Sequence, residues 1–264
     1  MKYNEYCDQI VVQAGLFAQH LIDADLATPV PTCPGWTVGQ LVRHVGGAHR
    51  EAEQVAQKGR PPGQDDFRDP THFTDTDPVQ LGAWLVEGAN RLAAELRAAG
   101  PDKAVATPVA DQTTKFVARR MTHETAIHRA DAALALASAD RLETGSAIGS
   151  EYGLQAELAV DGIDEWMELC ALPLHFEVHP WMRELLGPGR TLHFHATDTQ
   201  ADWLVDLTGD VIAWRHADEE AAVAVRGTVL DLLLLIYKRR PVETVEVLGD
   251  RELLDFYLDR VSFG

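Results

Sequence analysis

Within the run Arg119–Ala132, a glutamate and a histidine stand four residues apart, Glu124 and His128. On a helix that spacing puts both side chains on one face, one turn from each other. Val117, Met121 and Ala135 recur on the same face, so the carboxylate and the imidazole lie on an apolar stripe that should point into a helical core. Burying a carboxylate without a partner costs on the order of several kcal/mol, so Glu124 must be neutralised or paired. An arginine would satisfy Glu124 alone, whereas a metal ion would satisfy both residues at once.

A second stretch offers a third candidate. Leu41, Val45, Ala48 and Ala52 trace the inward face of a helix, and His44 lies beside Leu41 and Ala48 on it. His49 falls at the edge of the same stripe. Taken alone, His44 reads as a core histidine bonded to a main-chain carbonyl. Two helices that each send polar side chains inward are, however, the way bundles build metal sites. Two histidines and one carboxylate leave coordination positions open for water or substrate, the pattern of catalytic zinc or iron centres, and nickel or manganese is also accepted. His123 is turned about 100° from Glu124 and reads as a surface or helix-contact residue. The run is not the His-Glu-x-x-His of zinc proteases, because its second histidine comes five positions after the first.

The elements that must position these residues follow from the pattern. Helices are expected over Tyr3–Asp25, from Thr37 to about Gln57, over Val79–Ala99, Gln112–Ser138 and Ala147–Leu172. Thr37 and Gln40 form a capping-box signature, and Ala99-Gly100-Pro101 is a stop signal. Lys58–Pro78, rich in Gly, Pro and Asp, reads as a long exposed loop. After Leu186-Gly187-Pro188-Gly189 the character changes. Strands are expected at Thr191–Ala196, Trp203–Leu207, Val211–Arg215, Ala221–Arg226 and Glu243–Leu248, with helices at Val229–Tyr237 and Arg251–Val261. The expected fold class is α+β, with an all-α bundle at residues 1–184 and a small α/β domain at 185–264.

A formal net charge of −18 disfavours phosphate backbones and anionic lipid, so neither nucleic acid nor a membrane surface is an expected partner. No apolar run approaches the length of a membrane span, and the N-terminus lacks the layout of a signal peptide. Cys7, Cys33 and Cys170 are odd in number and widely spaced, which argues against a disulfide framework or a thiolate zinc site and fits a cytoplasmic location.

Thr32-Cys33-Pro34-Gly35-Trp36-Thr37-Val38, followed by Leu41 and His44, resembles the N-terminal signature of the mycothiol-dependent maleylpyruvate isomerase family. The run Arg119–Ala132 resembles that family's second signature. The resemblance implies a DinB-like metal-binding four-helix bundle, with the metal, usually zinc, held at positions matching His44, Glu124 and His128. The stretch from Val225 to Asp250 is similar to the family's second domain, a unit like sterol carrier proteins. Its pattern ends in a Gly-Arg pair; here Lys238 stands in the glycine's place, Arg239 matches the arginine and Arg240 is its rival.

What the resemblance implies is chemistry with a low-molecular-weight thiol, mycothiol, and a divalent metal that lowers the thiol's pKa. His44 and Arg239 become the expected catalytic residues, Arg239 as the ligand for the carboxylate of a small substrate. Trp36 reads chiefly as a packing anchor, with a secondary place in the site's apolar wall. Two other classes stay open: a metal-dependent hydrolase with no thiol, and a non-catalytic metal- or ligand-binding protein.

Overall fold

A computed structural model describes residues 1–60, 76–107, 109–137 and 152–261. Most of the loop expected over 58–78, and the expected start of a fifth helix at 147, lie outside the described residues. The chain divides into two compact units, Met1–Tyr152 and Gly153–Gly264.

Among the described residues of the first unit are four long helices: α1 (Tyr3–His20), α2 (Val38–Lys58), α3 (Pro78–Ala99) and α4 (Thr114–Leu136). Thr37, Asp77 and Thr113 start the last three, each side chain accepting a main-chain N–H that the helix leaves unpaired. Each such cap contributes about 1 kcal/mol. The capping box expected between Thr37 and Gln40 is present. Helix α1 ends five residues short of the expected Asp25, because Asp23 takes a left-handed conformation at φ 61° that a helix cannot continue through.

Helix α1 packs on α3 and α4, and α2 packs on the same two helices. Ile10, Phe17, Leu41, Val45, Leu85 and Leu92 interlock in the core between them. The approach of α2 to α3 depends on Gly46. A Cβ there would stand 2.2 Å from the Trp84 ring. Arg50, one turn on, lies over the same ring at 3.9 Å and donates to the carbonyls of Gly46 and Trp84. This contact sets the depth of the helix that carries His44.

The second unit opens with α5 (Ala156–Cys170), the short α6 (Leu174–Val178) and a 3-10 turn over Pro180–Leu185. Then come β1 (Thr191–Ala196), β2 (Asp202–Asp206), β3 (Ala213–Arg215), β4 (Val223–Gly227), α7 (Val229–Ile236), β5 (Glu246–Gly249) and α8 (Arg251–Arg260). The sheet order is β3-β2-β1-β4-β5, with β1 and β4 parallel and every other pair antiparallel. The strand expected over Glu243–Leu248 splits into a 3-10 turn at Val242–Thr244 and β5.

The division at residues 152 and 153 comes earlier than the boundary expected between 184 and 185. The difference is helix α5. Its buried stripe of Leu158, Ile163, Trp166 and Met167 packs with α7, inside the second unit. A helical period shows that a face must be buried but does not name the partner that covers it. No helix among the described residues is long and apolar enough to cross a membrane.

Candidate metal centre

Helix α4 presents Glu124 and His128 on one face, and α2 brings His44 across to meet them. His44 Nε2 lies 3.0 Å from Glu124 Oε1, and His128 Nε2 lies 3.1 Å from the same oxygen. The three ligand-type atoms all fall within 4.8 Å of one another. Ligands held about 2.0–2.2 Å from a tetrahedral zinc stand roughly 3.3–3.6 Å apart. The two histidine–glutamate distances therefore need to open by only a few tenths of an ångström to hold such an ion, and the donor set is chemically right for zinc or iron.

The surroundings aim these atoms. Arg120, one turn before Glu124, donates to the other carboxylate oxygen, Oε2, at 3.0 Å. That leaves Oε1 turned toward the two imidazoles. Asp131, fully buried one turn after His128, takes the proton of His128 Nδ1 at 2.8 Å. Nε2 is thereby directed at the site, the usual way in which a carboxylate fixes the tautomer of a metal-ligating histidine. Asp131 in turn accepts from Thr32 Oγ1 at 2.5 Å and from Cys33 Sγ at 3.3 Å.

Burial opposes charge on both Glu124 and His128, but their partners outweigh it. The Glu124 carboxyl is held well below its usual range by His128, His44 and Arg120. The His128 imidazole is held well above its usual value by Glu124, Asp131 and Cys33. The carboxylate is thus already in the ionised form that a metal requires, and a cation entering the site would displace the protons on the two Nε2 atoms.

The connection before α2 explains why Thr32 and Cys33 reach Asp131. Trp36 N–H donates to the Cys33 carbonyl at 3.0 Å, closing a turn with Pro34 and Gly35 at its centre. Gly35 has φ 83°. Proline first and a positive φ second is the signature of a type II turn, and only glycine adopts the second position without strain. A second turn, Cys33 N–H to the Val30 carbonyl at 3.1 Å, precedes it. Together they place Thr32 and Cys33 on Asp131 and set the Trp36 ring 4.9 Å from the His44 ring and 6.2 Å from that of His128. Trp36 is therefore a wall of the site as well as a packing residue, and more of a wall than its sequence suggests.

Sequence reasoning missed Asp131, Thr32, Cys33 and Arg120. Asp131 and Arg120 each carry a signal, since they lie three or four residues from a ligand candidate on the same helix. Thr32 and Cys33 carry no periodic signal, because a turn delivers them, and their motif does not by itself name Asp131 as the partner. Cys33 also forms a second ligand-type cluster with His128 and Asp131.

Two other histidines take different places. His49, expected at the edge of the stripe, is 1% exposed between α2 and α4. Its Nε2 lies 2.8 Å from Thr125 Oγ1, whose own proton goes to the Met121 carbonyl, so His49 Nε2 is the donor. His123 is a helix contact, packed edge-on against Tyr6 of α1.

In the second unit, helix α7 ends in a Schellman motif. Lys238 N–H donates to the Leu235 carbonyl and Arg239 N–H to that of Leu234. Lys238 itself adopts φ 59°, the conformation a glycine would supply. The backbone path survives the lysine, and the following arginine keeps its place at the helix end. Arg240 is paired with the Asp231 carboxylate. Arg239 donates to the Tyr237 carbonyl at 2.6 Å. Both arginines line an open pocket of about 410 Å³ with Leu235, Lys238, Pro241 and Val242.

Residues 7–133 match the family model described as the mycothiol maleylpyruvate isomerase N-terminal domain, and residues 157–256 match its C-terminal domain. No curated protein matches the chain by sequence. The solved structure of a mycothiol-dependent maleylpyruvate isomerase is similar over 94% of this chain and 93% of its own, with a TM-score of 0.56 at 16% identity. A histidine-to-alanine mutant of a mycothiol-dependent maleylpyruvate isomerase gives a TM-score of 0.55 at 14% identity over the same shares. At that identity the likeness speaks for the fold alone. With both domain models matched in order, the chain belongs to the mycothiol-dependent maleylpyruvate isomerase family.

Proposed function

We propose that this protein is a metal-dependent enzyme, with zinc as the metal, that uses mycothiol in an isomerase or thiol-transfer reaction on a small electrophile bearing a carboxylate. The observation that carries the proposal is the convergence of His44 Nε2 and His128 Nε2 on Glu124 Oε1 from two helices. Domain models named for the mycothiol isomerase support the thiol and the reaction class.

His44, Glu124 and His128 would hold the metal, three protein ligands with a position left open. A divalent metal there supplies Lewis acidity, which lowers the pKa of a thiol near it. Each of the surrounding residues has a defined task. Asp131 keeps His128 in the tautomer that presents Nε2 inward, and Arg120 holds Glu124 to one outward oxygen. Trp36 covers one side of the imidazoles and limits water beside them. Arg239 is the proposed ligand for the substrate carboxylate, which its planar fork of donors matches. Arg240 is the less suitable of the two because Asp231 already engages it.

The test is metal content and thiol dependence in one set of proteins. Untagged wild type, His44→Ala and Glu124→Ala would be analysed by mass spectrometry and assayed with an activated, carboxylate-bearing alkene, with and without mycothiol. Zinc and thiol-dependent turnover in wild type, both lost in the two variants, is the expected result. Equal turnover without thiol, as isomerisation or hydration of the alkene, would overturn the thiol-dependent reading. Full zinc in His44→Ala would overturn the ligand assignment.

A further inference from the structure

The second unit contains its own cluster of ligand-type side chains, on the two strands β1 and β2. His193 and His195 alternate with Phe194, so both project from one face of β1. Across the ladder His195 pairs directly with Asp202 of β2, and His193 pairs with Leu204, two residues along. That register puts one carboxylate opposite one histidine and diagonal to the other, within reach of both.

The side chains use that placement fully. His193 Nε2 lies 2.8 Å from Asp202 Oδ1, and His195 Nδ1 lies 2.7 Å from the same oxygen. All three ligand-type atoms fall within 4.8 Å of one another. The arrangement repeats the one in the bundle: a single carboxylate oxygen between two imidazole nitrogens. The backbone differs entirely, since a strand pair takes the place of two helices.

Two further features suit an ion, and a third holds Asp202 in place. His193 is largely buried, while the His195 side chain is 31% exposed and Asp202 22%, so the cluster has a sheltered floor and an open mouth. Asp218, on the exposed segment after β3, already lies 3.9 Å from His193 Nε2, near enough to be a candidate fourth ligand. His216 stabilises the other side of Asp202, donating from Nδ1 to its main-chain carbonyl while its Nε2 lies 3.2 Å from Asp164.

We propose that His193, His195 and Asp202 form a second divalent transition-metal site, separate from the one in the bundle, with Asp218 completing it. Two imidazoles and one or two carboxylates are the donor set of zinc, and of iron or nickel in more open geometry. The ion would bridge β1 and β2 at the point where the hairpin opens. Its binding would displace the two protons now shared with Asp202.

The experiment is zinc titration of the untagged, chelator-stripped full chain, with bound zinc counted after desalting. Wild type, His195→Gln, Asp202→Asn and His44→Ala would be compared, each first shown to be folded by circular dichroism. The expected result is two equivalents in wild type and one in each single variant, with none left in His44→Ala/His195→Gln. His195→Gln and Asp202→Asn should also lose the rise in melting temperature that the second equivalent of zinc gives wild type. Unchanged zinc content in folded His195→Gln and Asp202→Asn would overturn the proposal. The outcomes separate the two sites: if the bundle holds no zinc, wild type binds one equivalent, and His195→Gln rather than His44→Ala abolishes it.

Discussion

Asp131 Oδ2 stands 2.8 Å from His128 Nδ1, and Asp131 is wholly buried. A buried carboxylate in that position decides which nitrogen of the imidazole faces the site. Removing it leaves Nδ1 without its acceptor and lets the ring turn or change tautomer. Loss of such a supporting carboxylate weakens metal binding by about 10–100-fold. We expect Asp131→Ala to lower zinc affinity of the bundle site within that range, and Asp131→Asn, which retains an acceptor oxygen, to lower it less. Competition with a chromophoric chelator measures both. Wild-type affinity in folded Asp131→Ala would show that the pair is only a packing contact.

Gly35 should be replaceable only at a cost that is purely conformational. A Cβ at this position would meet no atom within 4 Å, yet the residue sits at φ 83°. Placing an L side chain in that region costs about 1–2 kcal/mol. Gly35→Ala should therefore lower unfolding stability by about that amount. It should also disturb Trp36 and Thr32, which the turn delivers to the site. Trp36 fluorescence during zinc addition reads the second effect. A variant with wild-type stability would show that the turn relaxes without strain.

Lys238→Gly is expected to have the opposite sign. The lysine occupies the left-handed position of the Schellman motif at φ 59°, where glycine carries no Cβ penalty. The motif's two main-chain bonds do not involve the side chain. We expect the second unit to gain about 1 kcal/mol, seen as a higher urea midpoint with an unchanged slope. A loss of stability would mean that the exposed lysine side chain, whose Nζ donates to the Asp259 carbonyl at 3.4 Å, contributes more than its backbone costs.

Periodicity and caps made much of the molecule legible. Glu124, His128 and His44 could be placed together because each lies on an apolar stripe of a long helix, and Thr37 announced the start of α2. Strand β1 matches its expected bounds, since Thr191–Ala196 is β-rich and bounded by turn residues. What stayed hidden depends on contacts between distant residues. Nothing local tells that Cys33 meets Asp131, 98 positions on, or that α5 is covered by α7. The histidines of β1 were equally silent, because their shared carboxylate arrives only through the register with β2.

His49 gives the protein a defined acid limit. It is buried between α2 and α4, and its pKa is pushed from 6.5 down to about 4, first by burial and then by the nearby charge of Arg50. The unfolded chain therefore takes up a proton at this residue below about pH 6.5 while the folded protein does not. Stability from His49 is fully present above that value and is lost as pH falls through the window from 6.5 to about 4. The full shift corresponds to about 3 kcal/mol at the acid end. His49→Gln preserves the donor to Thr125 Oγ1 and cannot titrate. In urea unfolding of the chelator-stripped proteins, the wild-type midpoint should fall more steeply than that of His49→Gln between pH 6.5 and 4.5. Chelation excludes proton competition with any bound metal, and the comparison cancels the titration of Glu124 and His128, common to both proteins. Parallel pH profiles would mean that His49 is protonated as readily in the folded core as in water.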